Sequence, residues 1–265
     1  MTDILRSAIL GLIQGLTEFL PVSSSGHLEI LNALLGSSET IDSDLTMVIL
    51  VHVGTALSIL YVYRQDILHI LKDVFTFQWS PNSKLAIEII ISMIPAMCIG
   101  LFFEDQIEAI FSGGIWMVGF CLMFTGLILW ITPSLNDQDH KVGWKRAVLI
   151  GIAQAVAILP GISRSGMTIA AALMLGVGKK EAARFSFLMV LPVILGKALL
   201  DIIGGDWNLG GASTWPVLTA LIVSMISGVV ACTWMIKLVQ RSSLRYFAVY
   251  CLIIGAVVVG ASWYG

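Results

Sequence analysis

Charged residues are scarce in this chain. Only 12% of its 265 residues are Asp, Glu, Lys or Arg, whereas 57% are hydrophobic, and the mean hydropathy is +0.92. A soluble domain carries roughly 25% charged residues, so this chain has too little polar surface to face water on every side. The scarcity argues against a soluble enzyme and predicts a single membrane domain. The segment from Met1 to Arg6 leads into an apolar stretch without a small-residue cleavage site, so we expect no signal peptide.

Cysteine is also rare, and its positions argue against two kinds of site. The four cysteines are not closely paired, as they would be in a metal site or a secreted disulfide framework. Each lies inside an apolar segment, so we expect all of them to pack as small core hydrophobes; they are Cys98, Cys121, Cys232 and Cys251.

Long apolar segments dominate the rest of the sequence. A membrane-spanning helix needs about 20 apolar residues, and six uninterrupted segments are candidates: 45–63, 85–103, 115–132, 184–203, 215–237 and 246–264. Two further stretches, 4–35 and 144–178, are broken by proline and glycine near residues 21–26 and 160–166. A break at membrane depth is tolerated where its backbone lines a cavity. We therefore predict an all-α polytopic membrane protein with two broken helical hairpins.

The two broken stretches resemble each other. Gly11, Gln14, Ser23, Ser25 and Gly26 recur 140 positions later as Gly151, Gln154, Ser163, Ser165 and Gly166. This spacing predicts two repeats, 1–132 and 144–265, each a broken hairpin followed by three spanning helices.

Basic residues predict the orientation, because Lys and Arg mark cytoplasmic loops. Twelve of the 15 lie between the segments or within three residues of a segment end, in four groups: Arg64, Lys72 and Lys84; Lys141, Lys145 and Arg146; Lys179, Lys180 and Arg184; Lys237, Arg241 and Arg245. Two groups flank the second broken stretch, so we predict that it enters and leaves from the cytoplasm. With three spans per repeat, the first hairpin then enters from the opposite face. The prediction is an inverted-topology repeat with both termini outside.

Polar residues concentrate at the two hairpin breaks. Gln14 and Glu18 share one helix face, and the turn Ser23, Ser24, Ser25 and Gly26 follows, with His27 after it. The second break holds Ser163, Arg164, Ser165, Gly166 and Thr168. Ionisable groups are costly inside a membrane, so they are functional candidates.

These residue types suit a phosphate-containing ligand. A guanidinium binds phosphate oxygens bidentately, and hydroxyls with the free N–H groups of a helix start complete an anion site. A carboxylate beside phosphates indicates a divalent cation such as Mg²⁺. Hydrolysis also needs a nucleophile and a base, for which Ser24 or water and His27 are the candidates.

Structural explanations compete with each functional one. The serine turn is also typical of a helix N-cap, and Glu18 is also typical of a hydrogen-bond anchor. Arg164 could serve only to pair with Glu18, which would still bring the two breaks together. For His52, inside the first uninterrupted segment, a packed or hydrogen-bonded core histidine is the favoured interpretation.

Two motifs show a family resemblance. Gln14–His27 reads QGLTEFLPVSSSGH and Pro160–Thr168 reads PGISRSGMT, with Phe185–Leu188 and Pro192 following. In both motifs the sequence resembles the undecaprenyl-diphosphate phosphatase family, also called bacitracin resistance protein. The resemblance extends over nearly the whole chain in length and hydropathy.

The resemblance implies a multi-pass enzyme of the bacterial inner membrane. Such an enzyme converts C55 isoprenyl diphosphate to the monophosphate carrier lipid of peptidoglycan synthesis, and it confers bacitracin resistance. The site would face the periplasm and need a divalent metal cation, Mg²⁺ or Ca²⁺. The implied partners are the lipid and the membrane, with no nucleic acid, and a homodimer is compatible with the family.

The resemblance also implies residue roles. Glu18 would serve the metal and the diphosphate, Ser24 would be the nucleophile, and His27 the base or proton carrier. Arg164 would clamp phosphate, supported by Ser163 and Thr168, and the division of work between serine, histidine and water stays open. Many members carry glutamate where this chain has Gln14, and more often glutamine where it has His52. The competing function is an inverted-repeat transporter or lipid flippase, since such architectures are common among transporters.

Overall fold

The computed structural model describes residues 3–35, 45–103, 106, 114–132, 139–204, 214–241 and 244–264. Within those ranges the regular structure is helical, apart from one isolated β-bridge, which confirms the all-helical prediction. The helices are α1 (Asp3–Phe19), α2 (Ser24–Leu35), α3 (Leu45–Val62), α4 (Arg64–Phe75), α5 (Pro81–Phe102), α6 (Ile115–Ile131), α7 (Gly143–Val156), α8 (Arg164–Met174), α9 (Lys179–Gly204), α10 (Thr214–Arg241) and α11 (Arg245–Tyr264).

Several of these helices can cross a bilayer. Among the described residues, four are long and apolar enough by themselves, namely α5, α9, α10 and α11. Helix α3 continues into α4 through a bend of 81°, and the pair would make a fifth span. Helix α6 is apolar but has 17 residues, about 25 Å of helix. The two predicted segments 45–63 and 115–132 therefore form shorter helices than the other four.

Helix α4 is a correction to the sequence analysis, which placed Arg64 and Lys72 in a loop. Both lie on α4, whose residues alternate between charged and apolar in a helical pattern and of which none is buried. A short amphipathic helix of this kind is typical of a membrane surface. The basic groups near residues 180 and 240 likewise lie on helix ends, within the first turns of α9 and around the junction of α10 and α11.

Glycine allows the closest helix contacts. A Cβ atom at Gly11 of α1 would lie 2.7 Å from the Ala220 carbonyl oxygen of α10. Gly151 of α7 meets the Ser92 backbone of α5 even more closely, and Gly119 of α6 and Gly255 of α11 face each other's carbonyl oxygens. Small residues at such positions let helix backbones approach, which is how membrane helices associate.

Aromatic residues fill the core beneath the hairpins. Phe19, at the end of α1, packs edge-on against Phe187 of α9, with ring centroids 5.5 Å apart. Three of the four cysteines are buried as expected, but Cys98 is exposed, so its predicted core position is wrong. Cys98 lies on α5, an apolar helix of which few residues are buried inside the protein.

The residues before and after the second hairpin lie close together. The His140 N–H donates to the Gly176 carbonyl at 3.3 Å, and the Gly178 N–H donates to the His140 carbonyl at 3.2 Å. The Arg146 guanidinium also donates to the Leu175 carbonyl, at 3.1 Å. The residues that precede α7 and those that follow α8 are therefore tied together.

Candidate active site

The tips of the two broken hairpins meet. Helix α1 ends at Phe19 and α2 begins at Ser24, whereas α7 ends at Val156 and α8 begins at Arg164. The Arg164 guanidinium forms an ion pair with the Glu18 carboxylate of the other hairpin. A second bond joins the tips, because the Ser165 hydroxyl donates to the Leu20 carbonyl at 3.1 Å.

Both tips are built in the same way. At the first, the Ser23 hydroxyl accepts from the Gly26 N–H at 3.3 Å and lies 3.3 Å from the Ser25 hydroxyl. The second tip repeats both contacts at Ser163, with distances of 3.1 and 3.3 Å. The N-cap interpretation of the serines is thus correct. The hydroxyl of Ser24, between the capping Ser23 and Ser25, is left for another partner.

A cavity of about 220 Å³ lies between the tips. Seven of the predicted site residues line it: Glu18, Ser23, Ser24, Ser25, Ser163, Arg164 and Ser165. The cavity is partly open and combines hydroxyl, carboxylate and guanidinium groups. The hydroxyl and guanidinium donors suit phosphate oxygens, whereas a carboxylate beside phosphate is typical of a bound cation.

Glu18 is the centre of the hydrogen-bond network. Its Oε2 atom accepts from the Ser24 hydroxyl at 2.6 Å and from the Gln14 amide at 3.0 Å, while Oε1 faces Arg164. Every one of these partners donates, as an ionised carboxylate requires. Among the described residues, the buried Oε1 of Gln14 and Nη1 of Arg164 have no hydrogen-bond partner. Buried polar atoms are normally satisfied. Arg164 lines the cavity, so its Nη1 atom is available to a ligand there, whereas Gln14 is fully buried and does not line the cavity.

His27 lies behind the cavity wall. Its Nδ1 atom is 2.8 Å from the Ser23 carbonyl, which can only accept, so Nδ1 carries the proton. In the neutral ring Nε2 then accepts from the Tyr250 hydroxyl at 2.7 Å. The two rings are stacked, with centroids 5.7 Å apart. The imidazole therefore holds Ser23, whose positive φ of 69° is uncommon outside glycine.

The other predicted residues also support the lining from outside. Thr168 lies 2.6 Å from the Ser186 hydroxyl and donates to the Arg164 carbonyl at 2.9 Å. Gly26 and Gly166 give the tips room, since a Cβ atom at Gly26 would lie 3.0 Å from the Gly161 Cα atom and one at Gly166 3.2 Å from the Pro21 Cβ atom.

The sequence analysis gave no site role to three supporting residues, namely Thr125, Tyr250 and Ser186, of which Ser186 lies in the quoted segment Phe185–Leu188. The Thr125 hydroxyl accepts from the Ser163 N–H at 3.0 Å and lies 3.1 Å from the Gly161 carbonyl. The available signal was a hydroxyl inside an apolar span, which is a weak one.

His52 has a larger part in the site than the sequence analysis gave it. Its Nδ1 atom donates to the Val48 carbonyl at 2.8 Å, as a hydrogen-bonded core histidine would. The ring nevertheless lines the cavity, together with Glu18 and Ser24.

A metal site made of protein ligands alone does not occur among the described residues, where no three His, Cys, Asp or Glu side chains come together. The cavity offers the Glu18 carboxylate, with the free Gln14 Oε1 atom behind it. Mg²⁺ is usually bound by one or two carboxylates and by phosphate oxygens. The residues thus fit a cation whose remaining ligands come from a diphosphate.

Comparison with known families agrees with this geometry. The model of the family described as "Bacitracin resistance protein BacA" matches residues 7–257. The chain belongs to this family. Curated relatives named undecaprenyl-diphosphatase include one from Christiangramia forsetii, 46% identical with 97% of each chain covered, and one from Bacteroides fragilis, 45% identical with the same coverage. A relative of that name from Methanobrevibacter smithii is 36% identical, with 97% of this chain and 96% of the relative covered.

Proposed function

We propose that this chain hydrolyses undecaprenyl diphosphate to undecaprenyl phosphate and inorganic phosphate. The reaction recycles the carrier lipid of envelope polymer synthesis and thereby confers bacitracin resistance. The observation that carries the proposal is that the Ser24 hydroxyl, the Glu18 carboxylate and the Arg164 guanidinium contact one another in one cavity. They would serve as nucleophile, proton acceptor and phosphate-binding cation. The chain also belongs to a family whose relatives are named for this activity.

The diphosphate would bind between the tips. Helices α2 and α8 both begin there, and helix N-termini favour anions. The free Nη1 atom of Arg164 supplies a charged donor. The lining pair Ser23 and Ser25 has one hydroxyl proton left for the ligand, because only one of the two donates within the pair. Ser163 and Ser165 also line the space, but Ser165 donates to the Leu20 carbonyl, so these two would bind the ligand only by exchanging that bond. A binding role for Gln14, Gly26, Gly166 and Thr168 is indirect, since they hold the lining in place.

Ser24 is the proposed nucleophile. Its hydroxyl already donates to Glu18, so the proton passes to that carboxylate as the oxygen attacks the terminal phosphorus. The bond from phosphorus to the bridging oxygen breaks, and undecaprenyl phosphate leaves. Water then attacks the phosphoserine while the protonated Glu18 returns its proton to the Ser24 oxygen, which restores the hydroxyl and the carboxylate and releases inorganic phosphate. Direct attack by water on the diphosphate is the alternative mechanism, and Ser24→Ala distinguishes the two.

This scheme gives His27 a positioning role through Ser23 and assigns proton transfer to Glu18. Because Ser23 and Tyr250 occupy both ring nitrogens, Nε2 of the imidazole could accept a proton only if the Tyr250 hydroxyl stopped donating to it. The role of base or proton carrier that the family resemblance implies for His27 stays a prediction.

A divalent cation, Mg²⁺ or Ca²⁺, is part of the proposal. Glu18 would hold it, with the Gln14 amide oxygen nearby and phosphate oxygens completing the set. The ion would neutralise negative charge on the diphosphate. Oε2 of Glu18 accepts from Ser24 and Oε1 pairs with Arg164, so a cation bound at Glu18 would share Oε1 with the guanidinium.

We also propose that the chain is an inverted-topology repeat. The support is that each hairpin packs on a helix of the other repeat. Helix α1 of the first hairpin packs on α10, the second span of the second repeat. Helix α7 of the second hairpin packs on α5, the second span of the first repeat. The third span of each repeat likewise contacts the hairpin tip of the other repeat. Helix α6 contacts the second tip through Thr125, and α11 contacts the first tip through Tyr250.

The proposed orientation puts both termini and the cavity opening on the periplasmic side of the bacterial inner membrane. This orientation is supported by contacts of basic residues at the starts of α9 and α11. Arg184 at the start of α9 pairs with Asp66 of α4, with 2.6 Å between Nη2 and Oδ1. Arg245 at the start of α11 lies over the Trp130 ring at the end of α6, 5.8 Å from its centroid. Clustered basic residues mark the cytoplasmic face. A homodimer stays a prediction.

The decisive experiment is phosphate release from C55 isoprenyl diphosphate by the purified protein in detergent. We expect release with Mg²⁺, none with EDTA, and none from the Glu18→Gln variant. A transporter or flippase has no need of a nucleophile bonded to a carboxylate, so this function is not favoured. Lipid binding without phosphate release would nevertheless support it and overturn the enzyme.

A further inference from the structure

An apolar groove adjoins the active-site cavity. It encloses about 190 Å³ between α3 and α9, and its walls are formed by Val48, Ile49, His52, Val193, Ile194 and Ala198. His52 lines the groove and the cavity alike. The polar space between the hairpin tips and this apolar groove therefore share a wall.

One face of helix α9 lines both the cavity and the groove. Val190 lines the cavity, and the groove-lining residues of α9 follow it at intervals of three and four, which is the spacing of one helix face. The groove thus begins one turn beyond the cavity, at Val193, and extends about 12 Å along the axis to Asp201. Lys197 and Asp201 form an ion pair of 3.3 Å on its rim, where the Lys197 side chain is 75% exposed.

We propose that this groove binds the isoprene units next to the diphosphate, an inference that rests on the proposed function. An amphiphile whose phosphates occupy the polar cavity must lead its chain away over an adjoining apolar surface, and burying that chain is favourable. The groove is that surface. A polar occupant is disfavoured because the charges on the rim neutralise each other.

The groove holds only the first part of a long lipid. Val48 and Val193, on its two walls, are 43% and 36% exposed on the outer surface of the helices. The groove is therefore open along its side, and the remainder of a C55 chain continues into the bilayer. Recognition then depends on the units nearest the phosphate, whatever the total length.

The test fills the groove with a larger side chain. Val48→Trp and Val193→Trp should each raise KM for C55 isoprenyl diphosphate about ten-fold or more, with kcat nearly unchanged. Methyl diphosphate, which has no chain to place in the groove, should be hydrolysed by the variants with unaltered KM. Leu195→Trp is the matched control, since Leu195 is 42% exposed on the same helix but does not line the groove. Equal effects on both substrates, or an equal effect of Leu195→Trp, would overturn the inference.

A binding experiment separates this inference from the activity. If the unaltered protein hydrolyses neither substrate, the proposed function fails, and the groove is judged by photocrosslinking alone. The probe is a C15 isoprenyl diphosphate with a diazirine in its first isoprene unit, and labelled peptides are mapped by mass spectrometry. Adducts within residues 193–198 or 48–52 support the groove, whereas their absence from both segments contradicts it.

Discussion

The Arg164 guanidinium meets the Glu18 carboxylate across the two hairpin tips and joins residues 146 positions apart in the chain. The Glu18 side chain is 6% exposed and that of Arg164 is 17% exposed. Removing one partner of a buried ion pair leaves the other charge uncompensated, at a cost of about 3–5 kcal/mol. The same contact thus bears on both the stability of the tips and the chemistry of the cavity.

The two contributions can be separated by a double substitution. Arg164→Met should lower the free energy of unfolding by about 3–5 kcal/mol, because it leaves a carboxylate buried without its cation. Adding Glu18→Gln removes that charge and should restore most of the loss, while both variants stay inactive. Thermal unfolding in detergent measures the first effect and phosphate release the second. A double variant as unstable as the sum of the single changes would contradict the ion-pair account.

Ser24→Ala tests the nucleophile. Loss of the hydroxyl that donates to Glu18 should lower kcat at least about 100-fold, with binding of the lipid diphosphate retained. Ser262→Ala is a suitable control, because within the described part of the chain its hydroxyl donates to the Val259 carbonyl near the end of α11 and has no contact with the cavity. Substantial residual turnover in Ser24→Ala would assign the attack to water.

His27 has a conservative replacement that distinguishes its two roles. In His27→Asn the amide N–H takes the place of Nδ1–H and can still donate to the Ser23 carbonyl, whereas His27→Ala cannot. If the imidazole only positions Ser23, we expect His27→Asn to keep kcat within about ten-fold, with a larger loss for His27→Ala. Equal and severe losses in both variants would mean that the ring itself transfers a proton.

The sequence predicted the chemistry of the tips better than their surroundings. Both breaks can be predicted from local sequence, because each contains a proline, Pro21 or Pro160, with serines close by. Charged residues inside an apolar segment are also easy to recognise. Tyr250 could not be assigned to His27 in this way, because the pairing joins residues 223 positions apart and follows only from how α11 packs. Helix α4 and the 81° bend before it were missed for a different reason. The basic residues of α4 were interpreted as part of a loop, although its apolar residues recur at helical spacing.

Close helix contacts at glycine should be sensitive to one methyl group. A Cβ atom at Gly15 would lie 2.6 Å from the Ser224 carbonyl oxygen, whereas one at Gly100 meets nothing within 4 Å. Gly15→Ala should therefore lower the free energy of unfolding by about 1–3 kcal/mol through overpacking. Gly100→Ala should leave it unchanged or raise it by up to about 1 kcal/mol, since alanine favours the helix. Unfolding in detergent compares them, and an equal loss at both sites would contradict the contact.

Labelling from one side of the membrane tests the second hairpin. Lys141→Cys and Lys180→Cys, in a Cys98→Ser background that removes the exposed native thiol, should react with an impermeant thiol reagent from the same side. Trp263→Cys, at the 81% exposed Trp263 near the C-terminus, should react from the other. The reason is geometric: backbone bonds of 3.2 and 3.3 Å join His140 to Gly178 and Gly176. Opposite labelling of positions 141 and 180 would set those residues about 30 Å apart across the bilayer, which these bonds do not allow.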